Sequence, residues 1–115
     1  MDKDLEKALE FANFSATLST QKRLLQQKYQ EDLVLYHLGG RFTVSKEFFS
    51  FVSNLVMLDV KKTVITDDNN TPILVEDLAQ FVSLVKQQYI TASNRYYSEY
   101  KALTTKRNVE GLVNE

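Results

Sequence analysis

The 115-residue chain contains no cysteine. That excludes disulfides, thiol catalysis and thiolate metal sites, and is compatible with a reducing cytoplasm. There is one proline, Pro72, and there are three glycines, too few for a flexible linker. No apolar run approaches the roughly 18–20 residues of a membrane span. The opening Met1-Asp2-Lys3-Asp4-Leu5-Glu6 is acidic and lacks the layout of a signal peptide. The formal net charge is −1, which argues against a broad electrostatic grip on nucleic acid or an anionic membrane. Repeats and low-complexity tracts are absent. The expectation is a single soluble domain, 1–115, with one modest core.

What the chain does have is a long apolar stripe in its last third. Leu78, Phe81, Val85, Tyr89, Ala92, Tyr96, Tyr100 and Leu103 recur three or four residues apart. That spacing predicts one long helix over 76–106 with a single apolar face. Glu76 and Asp77 would open it against the helix dipole, and Lys101, Lys106 and Arg107 would crowd its C-terminal end. Residues 107–115 read as a short tail, in which Val109, Leu112 and Val113 could add a helical turn or a docking peptide.

The first segment, 2–38, reads as another long helix. Asp2, Asp4 and Glu6 sit at its start, and Leu5, Ala8, Leu9 and Ala12 begin an apolar face. Phe11, Phe14, Leu18, Leu25, Tyr29, Leu33 and Tyr36 continue it. The Ser, Thr and Asn residues of 13–20 compete for backbone hydrogen bonds, so a break there stays open. Gly39-Gly40 would cap this helix.

The middle, 39–75, reads as compact. Residues 41–44 alternate as a short strand does, and Ser45 suits the N-cap of a second helix. Phe48, Phe49, Val52, Leu55, Val56 and Leu58 give that helix a wide apolar face, expected to be the most buried part of the chain. Two β-rich runs, 61–66 and 73–75, flank Asp67-Asp68-Asn69-Asn70-Thr71-Pro72, a hairpin signal. The expected fold is mostly α (α+β): two long antiparallel helices flanking a short helix and a small β-hairpin. The hairpin should pair with 42–44 or lean on the second helix, because an isolated hairpin is marginal in water.

No constellation for catalysis emerges. His37 is the sole histidine and has no partner at usable spacing, so it reads as a helix-end residue near the C-terminal dipole. Asp67, Asn69 and Thr71 mimic the first ligands of a calcium loop, but Pro72 replaces the needed glycine and Leu78 the closing carboxylate. There is no nucleophile elbow and no glycine-rich phosphate loop. No catalytic residue, cofactor or metal is expected. The tyrosines could stack on bases, but interleaved basic residues are sparse. Tyrosine carries an apolar body and a polar tip, which suits a protein interface. The candidate partner-binding residues are Phe14, Leu18, Tyr89, Tyr96, Tyr97 and Tyr100.

The order Gly39-Gly40-Arg41-Phe42-Thr43-Val44, then 51–56 (Phe-Val-Ser-Asn-Leu-Val), then 66–72, then 89–100, resembles small assembly proteins of T4-like tailed phages, cyanophages among them. Within these it is similar to the head vertex assembly chaperone group. This resemblance spans about residues 36–110 and is one of order and composition, with no catalytic residues to carry over. It implies a helper in building the particle, in the host cytoplasm or kept in the virion. The leading expectation is a non-enzymatic chaperone or scaffold working through protein contacts, with a protein partner, a phage structural protein or a second copy of itself. A long stripe on a chain too small to bury it fully motivates that expectation. A nucleic-acid accessory protein is the alternative. It would need Lys22, Arg23 and Lys28 to join Arg95, Lys101, Lys106 and Arg107 on one face. A minor structural virion subunit is the third reading.

Overall fold

The computed structural model describes the backbone of residues 2–113 and the side chains of residues 2–105. The protein is mostly helical, with three helices, two of them long, and two small antiparallel hairpins. In chain order the elements are α1 (Lys3–Asp32), β1 (Val34–His37), β2 (Gly40–Thr43), α2 (Lys46–Met57), β3 (Thr63–Thr66), β4 (Pro72–Val75) and α3 (Leu78–Val113). They group into two compact units: residues 29–94, and residues 1–28 with 95–115.

In the 29–94 unit, the first difference from the sequence expectation is at the end of α1. The helix stops at Asp32, and 34–37, expected to be helical, form strand β1 against β2, with Val34 opposite Thr43 and His37 opposite Gly40. Val34-Leu35-Tyr36 favours a pleated surface, and Gln88 of α3 donates to the carbonyls of Asp32 (2.6 Å) and Val34 (3.2 Å). Gly39-Gly40 therefore does not cap a helix. Leu38 (φ 53°) and Gly39 (φ 78°) are the two central residues of the hairpin turn, the positive-φ signature of type I′. His37 accordingly lies on a strand, not at a helix end. Its ring is tilted against Phe81 with centroids 5.6 Å apart.

Helix α2 starts as its sequence implies: Ser45 Oγ accepts from the Phe48 N–H at 3.0 Å. It ends in a Schellman motif. Asp59 takes φ 66° and donates to Val56 O, while Val60 donates to Leu55 O. α2 is not the most buried element. Only Val52 is fully buried; Phe48, Phe49, Leu55 and Val56 line the core rim, and Leu58, the C-cap residue, points out to solvent.

The hairpin β3–β4 forms where the sequence signals it, with Val64 opposite Leu74 and Thr66 opposite Pro72. Asn70 supplies the positive φ in its turn, at 61°. Its strands do not pair with β2; its turn does the joining. Asp68 N–H donates to Arg41 O (2.8 Å), and Asp68 Oδ1 accepts from Thr43 N–H (3.0 Å). Asp68 Oδ2 takes the Arg41 guanidinium at 2.8 Å and the Thr43 hydroxyl at 2.6 Å. The free edge of β2 is thereby covered. Asp67 sits behind it, 8% exposed, accepting from the backbone of Arg41, Asn69 and Thr71. These bonds, Arg41's first, hold its carboxyl below its usual pKa against the opposing effect of burial.

Helix α3 begins at Leu78 rather than Glu76, because Asp77 is the cap: its carboxylate accepts from Gln80 N–H at 3.0 Å. Leu78, Phe81 and Val85 drop into a core shared with Phe42, Val44, Val52, Ile65 and Val75. Phe81 lies edge-on to both Phe42 (5.2 Å) and Phe48 (6.1 Å). α3 does not end near Lys106. It continues to Val113, so residues 107–113, expected as a tail, are helical, and the basic residues fall inside the helix rather than at its end. Residues 107–113 contain no proline to stop it, and Gly111 alone does not. The side chains of Lys106, Arg107, Val109, Leu112 and Val113 lie outside the described residues.

Candidate protein-interaction surface

The second unit, residues 1–28 and 95–115, contains 3–28 of α1 and 95–113 of α3. α1 is unbroken through 13–20, so the Ser, Thr and Asn stretch is helical. Its half-buried side chains here are Phe14, Leu18, Gln21, Lys22 and Leu25; on α3 they are Tyr96, Glu99, Leu103 and Thr104. Steps of three and four along each helix are the seam of a two-stranded coil. Lys28 Nζ meets Glu99 at 2.7 Å, and Lys22 stands 5.5 Å over the Tyr100 ring. Among the described residues of this unit none is fully buried.

The candidate residues divide on this framework. Phe14 and Leu18 lie on the α1 side of the seam. Tyr96 is half-buried on the α3 side and packs edge-on against Tyr100 at 6.1 Å. Tyr100 is 37% exposed and Tyr97 is 65% exposed, with Lys101 Nζ 6.0 Å from the Tyr97 ring. These three tyrosines form one ridge. Tyr89 is not part of it. It belongs to the 29–94 unit, where it packs edge-on against Phe49 at 5.9 Å on the core rim.

The sequence reading missed a second face of α1. Leu5 and Leu9 are half exposed, with Ala8, Ala12 and Ala16 also in solvent; Phe11, 70% exposed, lies only about 20° around the helix from Leu18, on the seam side. At 100° per residue, Leu5 lies about 140° around the helix from Leu18, so one stripe was in fact two. Angular arithmetic on the sequence would have separated them. In the 29–94 unit, Phe51, Met57, Val64 and Leu74 are exposed as well.

The basic residues are partly committed. Lys28 is paired with Glu99 and Lys22 covers an aromatic ring. No helix among the described residues is long and apolar enough to cross a membrane. The chain matches no protein-family model, no curated protein and no solved structure.

Proposed function

We propose that this protein is a non-enzymatic assembly factor of chaperone or scaffold type, acting through protein–protein contacts on the Tyr96–Tyr97–Tyr100 ridge of α3. The setting implied by the sequence resemblance is construction of a tailed-phage particle. The observation that carries this reading is the exposure of Tyr97 and Tyr100 on a helix pair with no fully buried side chain among its described residues. Aromatic side chains held on a rigid helix but left in water gain most when a partner covers them. A nucleic-acid accessory role fits less well, because Lys28 and Lys22 already have partners within the chain.

The test is co-expression with the head proteins of a T4-like phage. The wild-type chain should raise the yield of soluble assembled particles. The double variant Tyr97→Ala, Tyr100→Ala should lose that effect while keeping the wild-type circular dichroism, as truncation of interface aromatics costs about 2 kcal/mol or more. Equal yields with both would remove the proposal. Assay of finished particles for the protein separates a transient chaperone from a retained subunit.

A further inference from the structure

We infer that a second copy of this chain docks on α1 through the face opposite the seam, as an antiparallel pair of α1 helices. This goes beyond the tyrosine ridge, which lies on α3. The face is apolar at its start, with Leu5 and Leu9 half exposed, and small in the middle, at Ala12, Ala16 and Ser19. Beside it Ser15, Leu18, Ser19, Lys22, Arg23 and Gln26 line a shallow groove.

Charge says what covers it. Residues 2–10 of α1 hold four acidic side chains (Asp2, Asp4, Glu6, Glu10) against two basic ones (Lys3, Lys7). Residues 11–21 hold no charge at all, and residues 22–28 hold only basic charge; Lys22 and Lys28 are engaged on the seam side, and Arg23 lies on the opposite face. Over residues 2–28 the stretch is acidic, then neutral, then basic, and so is complementary to itself reversed; Glu31 and Asp32, which close α1, lie outside this stretch. It repels itself in parallel. With a two-fold axis through the neutral stretch, each such contact occurs twice.

One register satisfies both charge and shape. Ala12 of one copy meets Ala16 of the other, Leu9 meets Ser19, and Leu5 meets Arg23. The small residues let the axes approach closely at the crossing, near the short end of the usual ~8–10 Å. The Arg23 aliphatic stem then covers Leu5 while its guanidinium reaches Glu6 and Asp2.

The experiment uses the full chain, which has no native cysteine to interfere. Sedimentation velocity over a concentration series at low and high salt measures the association. Leu5→Cys and Arg23→Cys variants then report the register by oxidation. The expected result is a dimer that weakens with salt, and a disulfide-linked dimer when the two cysteine variants are mixed but not with either alone. Arg23→Glu should weaken the dimer roughly tenfold, since a symmetric pair loses two surface contacts. Adding Glu6→Lys to Arg23→Glu should restore most of the affinity. Helicity by circular dichroism should be unchanged throughout, because these positions are exposed. A monomer up to roughly 0.1 mM at low salt, where a micromolar interface would be filled, overturns the inference. So does a dimer in which either cysteine variant cross-links to itself, one in which the mixture fails to cross-link, or one untouched by Arg23→Glu.

Discussion

The two units of this molecule both carry abundant apolar sequence, 31 of 66 residues in 29–94 and 19 of 49 in the other, but put it to opposite ends. In residues 29–94, short elements of four to twelve residues surround the first turns of α3, and eight hydrophobic side chains form one buried cluster. In residues 1–28 and 95–115, two helical stretches carry leucines, phenylalanines and tyrosines, yet no described side chain reaches full burial. Two helices alone leave most of each surface in water, whereas hairpins, a helix and a helix start can enclose a core on several sides. Apolar content therefore says little about burial until the number of packed layers is known. One unit stabilises the fold; the other keeps its apolar surface available.

That contrast can be broken most forcefully at Phe81. It is fully buried and packs against three other rings. Phe81→Ala should cost about 3–5 kcal/mol, most or all of the stability of a small domain, as read by urea unfolding. The next effect is at Asp67. Its folded carboxyl sits below the reference 3.8, so its stabilising contribution is present above that pH and is lost as pH falls through the lower folded value. Asp67→Asn should lower the melting temperature at pH 7 and flatten the acid limb of the stability profile, since an amide oxygen accepts fewer of the three backbone N–H bonds. Asp68→Asn, on the exposed side of the same joint, should do less.

Smaller still is the turn at Leu38, a leucine held at φ 53° with its side chain in water. Leu38→Asn should raise stability by up to about 1 kcal/mol, because Asn tolerates this conformation. At the low end, Phe11→Ser should leave the stability of the chain within about 0.5 kcal/mol, far below the cost at the buried Phe42 or Phe81 of the other unit.

Much of this architecture was legible in the residues. Ser45 as a cap, the Asp67–Thr71 turn with Asn70 at positive φ, and the buried Leu78–Phe81–Val85 start of α3 all follow from local chemistry and periodicity. The errors have a common physical origin. Residues 34–37 follow the helical pattern but are β-formers, and only their pairing with 40–43, which helical periodicity does not report, decides between the two. α2 has the widest apolar face, but burial depends on what lies opposite, and Leu58 has nothing there. The tyrosine ridge, proposed above as an interaction surface, was legible as residue type at Tyr96, Tyr97 and Tyr100. It was not legible at Tyr89, which continues the same stripe but meets Phe49 from α2.

The most direct test of the central claim is hydrogen exchange followed by mass spectrometry on the dilute chain. The account predicts slow exchange in β2 and in 81–92 of α3, close to the global unfolding limit, and exchange orders of magnitude faster in 5–25 of α1, where no described side chain is buried. Equal protection of 5–25 and 81–92 would contradict it, because the helix pair would then be a stable core in its own right rather than a surface kept for partners.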